Sequence, residues 1–449
     1  RPPTSSPAKK RPASRSGTIA AHRTPQAPIA AHRLAQAFEA TFVLLASTAT
    51  LLVIDVGVFL QQRDSADFFV GPKGWTMLTL GAIALAWWMV IGWRRIRDGS
   101  TFALRDGRTV ALLASMALFL LAPFLATITP LDAAFLGSTQ RADGALLMLV
   151  SLLLAATLAT MVRGNPRLWR LAIFSFATAA TVAGILGIFE SNGTSPYAWF
   201  GGQFTGRIEP RGTLGNAAFL GVTTAMASTI LVSLALSPRI RRNPRKVLPL
   251  ALWAIFLAFA TASTGGRAAY LALLATLVGM ATLTAVRAGG ARARLITAGS
   301  VALLIVSLVA GVALTDVGQQ SVRELRDALQ GTDNSWNSRL VTFNLGAEAI
   351  AQQPLHPYGP AAFGIIVWDL ANEAQTRQLY SELVPWSALD QVERRGTLIR
   401  YPDPRTGEFI VERAMYDKAH NYLLDLTLSF GLLASLALVT FVLLVIASA

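Results

Sequence analysis

About ten long apolar runs follow one another along this sequence, and no other feature constrains its fold as strongly. They lie at 38–61, 75–93, 109–128, 144–162, 168–189, 214–236, 247–263, 267–286, 294–314 and 421–447. An α-helix needs roughly 20 apolar residues to cross the hydrocarbon core of a bilayer, which is about the length of these runs. Hydrophobic residues make up 53% of the 449 residues and charged residues only 14%, a balance too apolar for a soluble domain. The sequence therefore predicts an all-α polytopic membrane protein with about ten transmembrane helices.

Basic residues are concentrated in every second connection between the runs. They are Arg94, Arg95, Arg97, Arg105 and Arg108 after the second run, Arg163, Arg167 and Arg170 after the fourth, Arg239, Arg241, Arg242, Arg245 and Lys246 after the sixth, and Arg287, Arg292 and Arg294 after the eighth. Cytoplasmic connections of membrane proteins accumulate arginine and lysine. We therefore expect a cytoplasmic N-terminus and a tenth helix that enters from the outer side. This placement also explains much of the net charge of +14, which argues against nucleic-acid binding.

Composition divides the chain into four predicted regions. They are a disordered basic cytoplasmic tail at 1–36, nine transmembrane helices at 37–314, an outer-side domain at 315–419 and the tenth helix at 420–449. The third region is too long for a connecting loop, and its patterns predict helices at 321–330 and 338–353 and a β-hairpin at 397–412. The chain begins without methionine and stops at the tenth run, so we expect native C-terminal sequence beyond it.

Three polar side chains lie where an apolar run meets the predicted outer side, a place where ionisable residues are costly. Arg211 precedes the sixth run, Arg267 lies in the short turn between the seventh and eighth, and His420 precedes the tenth. For Arg211 an equally good interpretation is a side chain that reaches the headgroups. His420 taken alone is more often a hydrogen-bonded interface anchor than a functional group. That alternative is weaker for Arg267, because an outer-side arginine opposes the usual charge bias.

Taken together, these three residues indicate a transferase site. Two guanidiniums on one side are the usual forks for a diphosphate, and histidine commonly takes a proton from a hydroxyl near neutral pH. Arg211 and Arg267 would hold an anionic diphosphate leaving group while His420 orients or deprotonates the acceptor hydroxyl. Arg339, near the start of an outer helix, is a further candidate for binding the diphosphate, although a solvated or ion-paired arginine is the simpler interpretation.

Several common catalytic motifs are absent from the sequence. It has no Asp-x-Asp, no Gly-x-x-x-x-Gly-Lys, no His-Glu-x-x-His and no Gly-x-Ser-x-Gly, and it has no cysteine and only four histidines. We therefore expect chemistry that needs neither a metal nor a cofactor. The same absences lead us to expect a lipid-borne donor rather than a nucleotide-borne one.

Four motifs, in this order, resemble those of the O-antigen ligase and O-antigen polymerase superfamily. They are Arg211-Gly-Thr-Leu-Gly-Asn216-Ala, Ser263-Thr-Gly-Gly-Arg267, Ser338-Arg339-x-x-x-Phe343 with Gln353-Pro-Leu-His-Pro-Tyr-Gly359-Pro-Ala-Ala-Phe363, and Ala419-His420-Asn421-Tyr422 before Phe430-Gly431-Leu-Leu. The similarity covers roughly residue 140 to the C-terminus. The chain departs from the family pattern in Asn216-Ala-Ala, in Thr-Gly-Gly-Arg267 and in the altered Pro-Leu-His-Pro-Tyr-Gly turn.

The resemblance implies a GT-C-like, inverting, metal-independent glycosyltransferase in the bacterial inner membrane. Such an enzyme moves a glycan from undecaprenyl diphosphate to a glycan, lipid or protein acceptor on the periplasmic side. By resemblance, Arg211 and Arg267 match the diphosphate-binding arginines and His420 the histidine that activates the acceptor. Substrate contacts are expected from Arg339, Asn216 and Asn421.

The residues leave two kinds of alternative open. The acceptor is undetermined, so a ligase, a polymerase and a protein O-glycosyltransferase all agree with the sequence. A non-catalytic membrane subunit or a transporter is the competing class, although the midplane ionisable residues that a transporter needs are almost missing here.

Overall fold

A computed structural model describes residues 29–53, 70–98, 106–137, 144–194, 210–240, 243–287, 291–330, 334–380, 393–395, 398–403, 406–413 and 419–447. Its first helices are α1 (Ile29–Leu52), α2 (Val70–Arg97), α3 (Gly107–Leu125), α4 (Leu131–Leu136), α5 (Ala145–Val162), α6 (Pro166–Ser191), α7 (Ala217–Leu236), α8 (Pro244–Ser263), α9 (Arg267–Arg287) and α10 (Ala291–Leu314). They are followed by α11 (Asp316–Leu329), α12 (Asn334–Gln352), α13 (Phe363–Leu370), α14 (Glu373–Tyr380), the strands β1 (Glu393–Arg395), β2 (Leu398–Pro402) and β3 (Phe409–Arg413), and then α15 (Tyr422–Phe430) and α16 (Leu432–Ala447).

Seven helices of the described chain, α1 to α3 and α5 to α8, are long and apolar enough to cross a membrane. The bent pair α10–α11 is an eighth candidate, and α9 and α16 contain shorter apolar stretches. The chain is thus a helical, multi-pass membrane protein. The expected number of about ten spans is reached only if the bent pair and both shorter helices also cross.

The largest differences from the predicted helices are at α1 and at the predicted tenth helix. α1 begins at Ile29, inside the segment predicted to be a disordered tail, because the alanine-rich residues before the apolar run favour a helix. The predicted tenth helix is interrupted at Gly431, which has a φ of +86° and donates its N–H to the carbonyl of Thr427 at 2.8 Å. Hydropathy does not detect such a break, because the residues on both sides of it are apolar. Residues 54–61 of the first predicted run lie outside the described residues.

Small residues allow the central helices to approach one another closely. A Cβ added to Gly184 of α6 would lie 3.1 Å from the Cβ of Ala260 in α8. The buried hydroxyls of Thr224 in α7 and Thr261 in α8 are 2.9 Å apart and share a hydrogen bond. Close backbone approach and hydroxyl bonding are the usual means of joining helices in a membrane. This packing fixes the relative positions of the helix ends that form the candidate site.

The chain bends by 95° between α10 and α11, at Thr315. The buried Thr315 hydroxyl donates to the carbonyl of Gly311 at 2.8 Å and accepts the N–H of Gly318 at 3.1 Å. One side chain therefore bonds to both helices at the bend. The bend turns α11 nearly perpendicular to α10.

The residues after α11 form most of a second apolar core, against which Ile128, between α3 and α4, also packs. It includes Leu345, Ala349, Phe363, Val367, Leu379, Tyr401 and Leu428, all buried. The Tyr358 hydroxyl donates to the carbonyl of Ala349 at 2.9 Å, and burial raises the pKa of this hydroxyl, which keeps it a donor. The division of the chain at residue 315 and the position of this region on the outer side of the membrane stay predictions.

A three-stranded antiparallel sheet contributes Tyr401 to this core. β2 pairs with β3, with Leu398 opposite Arg413 and Pro402 opposite Phe409. This pair lies where the sequence predicts a hairpin. β1 adds a third strand on the other side of β2, which the sequence did not predict.

Candidate active site

A cavity of about 530 Å³ lies at the N-terminal ends of α7 and α9, beside α11 and α12. We call it the helix-end cavity. Its lining residues are Pro210, Asn216, Ala217, Ala218 and Val222 at the start of α7, Thr264 to Ala269 at the start of α9, Val317, Gln320 and Ser321 of α11, and Arg339 and His420. Residues up to 210 positions apart in the chain therefore meet here.

Four of the six residues predicted from sequence line this cavity: Asn216, Arg267, Arg339 and His420. Arg211 and Asn421 do not line it, although each is next in sequence to a residue that does. The Asn421 side chain instead accepts the N–H groups of Leu423 and Leu424 at 3.0 and 3.4 Å, which caps α15. The structure thus gives Asn421 a capping role, and its predicted contact with substrate stays a prediction.

Arg267 is the first residue of α9 and follows a tight turn. Gly265 in this turn has a φ of +71°, and a Cβ on it would lie 2.5 Å from Cγ1 of Val317 in α11. The Ser321 hydroxyl of α11 donates to the carbonyl of Gly265 at 3.0 Å. The Thr-Gly-Gly sequence before Arg267 therefore serves close packing of the turn against α11.

His420 has a φ of +55°, which places it in the left-handed region that residues other than glycine rarely adopt. The chain on its N-terminal side is firmly held: Ala419 is fully buried, and its N–H donates to the Asp425 carboxylate at 2.7 Å. On the other side, Asn421 caps α15. A strained backbone fixed from both sides is typical of functional positions, and here it places His420 at the cavity.

Thr342 connects the backbone at Arg339 with the backbone next to His420. Its buried hydroxyl lies 2.9 Å from the carbonyl oxygen of Arg339 and 3.2 Å from that of Ala419. It therefore holds the first part of α12 beside the residue that precedes His420. Thr342 is not among the residues predicted from sequence, because nothing in the local sequence shows that its partner lies 77 residues away.

The Arg211 motif is organised by a residue that the sequence analysis did not select. Glu190, in the last turn of α6, is 3% exposed, and its Oε2 accepts the N–H of Arg211 at 2.6 Å and that of Gly212 at 2.7 Å. Asn216 ends the motif, and its side chain accepts the N–H of Ala218 at 2.8 Å, which caps α7. One sequence signal could have identified Glu190: it is an acidic residue at the end of an apolar run, where an unpaired charge is costly.

The same motif is held from a second direction by α1 and α2. Lys73 of α2 donates from Nζ to the carbonyl of Thr213 and, at 2.9 Å, to that of Val53. The Thr213 hydroxyl donates to the carbonyl of Leu51 at 2.6 Å. Residues 211–213 are therefore hydrogen-bonded to α6 on one side and to the end of α1 and the start of α2 on the other.

The charge of the helix-end cavity favours an anion. Arg267 and Arg339 are in its lining together with His420, and none of the described residues that line it is acidic. α7 and α9 also begin at the cavity, and a helix N-terminus carries positive partial charge and free N–H groups. Such an arrangement suits a phosphate or diphosphate group.

Comparisons with known proteins add no family to these observations: no protein-family model, no curated protein and no solved structure matches the chain. Within the described part of the chain, no three side chains of the metal-binding types form a cluster. The chemistry of the site therefore has to be argued from its own residues.

Proposed function

We propose that the protein is an inverting glycosyltransferase that moves a glycan from a polyprenyl diphosphate, undecaprenyl diphosphate in a bacterial inner membrane, to an acceptor hydroxyl. The observation that carries the proposal is the lining of the helix-end cavity, in which Arg267, Arg339 and His420 meet without an acidic residue among the described lining. A cationic site at the ends of apolar helices fits a donor whose diphosphate lies at the membrane surface and whose chain lies in the bilayer. The GT-C-like fold, the outer-side domain and the O-antigen ligase or polymerase family are parts of this proposal.

In the proposed reaction the acceptor hydroxyl oxygen attacks the anomeric carbon of the glycan. The bond from that carbon to the diphosphate oxygen breaks, its electron pair leaves with the polyprenyl diphosphate, and the configuration at the carbon inverts. His420 takes the proton of the hydroxyl. Arg267 and Arg339 stabilise the negative charge that grows on the leaving diphosphate, and Arg211 acts from the edge of the cavity.

Purified protein in detergent, given a lipid-diphosphate glycan and an acceptor, tests this function. We expect Arg267→Ala and His420→Ala to lower transfer by about 10²-fold or more, since each removes a group that acts in the transition state. Arg245→Ala and His356→Ala are matched controls, because both residues are exposed and neither lines the cavity. Near-normal transfer by both cavity variants would contradict the proposal.

Two further arms of the experiment address the alternatives. Offering a lipid-linked core sugar, a second lipid-linked glycan and a protein separates a ligase, a polymerase and a protein O-glycosyltransferase. A chelator should leave transfer unchanged if no metal takes part. Movement of the lipid-linked glycan across proteoliposomes without transfer would instead indicate a transporter.

A further inference from the structure

We propose that Glu190 is a positioning residue of this transferase: its buried carboxylate fixes the Arg211 loop, residues 210–216, against the helix-end cavity. The proposal rests on the proposed function for its kinetic consequence but not for its structural one. Glu190 does not line the cavity, and we assign it no contact with substrate.

The burial of the Glu190 carboxyl group is costly. Glu190 is 3% exposed at the end of a helix that is long and apolar enough to span a membrane. A carboxyl group in such a place is tolerated only when its environment compensates it. Here two backbone N–H groups, those of Arg211 and Gly212, donate to the same oxygen, at 2.6 and 2.7 Å. The carboxylate in turn satisfies donors that a buried loop would otherwise leave without an acceptor.

The Arg211 loop is tightly packed on both sides. Gly212 has a φ of +52°, and a Cβ on it would lie 2.6 Å from the carbonyl oxygen of Ala183 in α6. Lys73 and Thr213 bind the opposite side of the loop to α2 and α1. Glu190 is thus one side of a two-sided clamp on residues 211–213.

The loop held by this clamp also forms part of the cavity wall. Pro210 and Asn216 stand at the two ends of the clamped loop, and both line the cavity. Loss of the Glu190 bonds should therefore displace part of the cavity wall together with the Arg211 side chain. In the proposed reaction this loop lies on the side of the diphosphate, so binding of the donor should weaken before the chemical step is affected.

The experiment compares Glu190→Ala and Glu190→Gln with Glu348→Ala, which removes an exposed glutamate of α12. A glutamine oxygen can still accept both N–H groups, so Glu190→Gln should bind undecaprenyl diphosphate within about threefold of wild type. Glu190→Ala should weaken binding about tenfold or more, the usual effect of leaving buried N–H donors without an acceptor. With active protein, the loss should fall on KM for the donor more than on kcat, and Glu348→Ala should change neither.

A double variant isolates the route by which Glu190 acts. If it acts through the Arg211 loop, Glu190→Ala should cost little further in an Arg211→Ala background, so the two losses should not add. Full additivity would overturn the route through the Arg211 side chain. If wild type shows no transfer and no binding, the proposed function fails, and amide hydrogen exchange still decides the role of Glu190. Faster exchange at residues 210–216 in Glu190→Ala, but not in Glu190→Gln, supports the clamp, and unchanged exchange in Glu190→Ala overturns it.

Discussion

At the scale of single residues, substitution of His420 should have opposite effects on stability and on activity. His420 and Ala361, with φ values of +55° and +60°, are the non-glycine residues in the left-handed region of the described chain. Glycine relieves the strain at such a position, so His420→Gly should raise the free energy of unfolding by up to about 1 kcal/mol. It should also abolish glycan transfer, because it removes the proposed base.

Ala361→Gly is the control for this prediction. It should stabilise the protein to a similar degree and leave transfer intact, since Ala361 does not line the cavity. Thermal unfolding in detergent and the transfer assay measure the two effects. A His420→Gly variant that keeps most of its activity would contradict the role proposed for the imidazole.

Two glycines with nearly the same backbone test how tightly the turn before Arg267 is packed. Gly265 and Gly164 have φ values of +71° and +75°, but only at Gly265 would a Cβ meet neighbouring atoms within 4 Å. Gly164→Ala should lower the free energy of unfolding by about 1–2 kcal/mol, the cost of left-handed backbone. Gly265→Ala should lower the free energy of unfolding by about 1–3 kcal/mol more than Gly164→Ala does, because Val317 must move as well.

The transfer assay distinguishes these variants further. Gly265→Ala should reduce transfer, since it pushes α11 away from the turn that leads into Arg267. Gly164→Ala, far along the chain from the lining residues, should not. Equal losses of stability in the two variants would show that the turn is less crowded than its geometry indicates.

At the scale of the elements, Thr342 should determine how α12 lies beside the segment that carries His420. Thr342→Val keeps the shape of the side chain but removes the hydroxyl, which leaves the buried carbonyl of Ala419 without this donor. We expect a loss of about 1–3 kcal/mol in stability and a lower kcat for transfer with little change in KM for the donor. Thr178→Val is the control, because the Thr178 hydroxyl is exposed and donates within α6 to the carbonyl of Phe174. Equal effects of the two variants on kcat would show that Thr342 does not position α12 beside the segment that carries His420.

Helices could be predicted from the sequence where the bilayer itself demands them. A chain in hydrocarbon must satisfy its backbone hydrogen bonds within helices, so the second to ninth apolar runs coincide with α2, α3 and α5 to α10. The break at Gly431 could not be predicted, because it depends on the contact of that residue with the turn at Leu355 and Pro357. Tertiary contacts of this kind leave no mark in local hydropathy.

The same distinction applies to the candidate site. Arg267 and His420 could be selected because charged or polar side chains at the ends of apolar runs are unusual. Arg339 could be selected as a further guanidinium, near the start of a predicted outer helix. Glu190 and Thr342 were missed, because their partners are backbone groups at positions 21 and 77 residues away. Sequence patterns identify side chains that differ from their surroundings, and they do not reveal which distant backbone a side chain holds.

At the scale of the whole molecule, the cavity and the basic connections lie at opposite ends of the same helices. Asn216 stands before the first residue of α7, and the other end of α7, Leu236, leads to the basic connection at 239–246. Arg267 begins α9, which ends at Arg287, the start of another basic connection. If the basic ends are cytoplasmic, as the positive-inside rule predicts, the cavity opens on the outer side.

This orientation can be tested directly, because the chain contains no cysteine and any introduced thiol is unique. Asp98→Cys places a thiol at an exposed position in the first basic connection, and Thr406→Cys places one at an exposed position between β2 and β3. A membrane-impermeant maleimide should label Thr406→Cys in intact spheroplasts and Asp98→Cys only after permeabilisation, while the unsubstituted chain gives the background. The reverse pattern would put the cavity in the cytoplasm, where a polyprenyl-diphosphate glycan that has already been flipped outward could not reach it. Labelling therefore tests a requirement of the proposed transfer that does not depend on any single residue of the cavity.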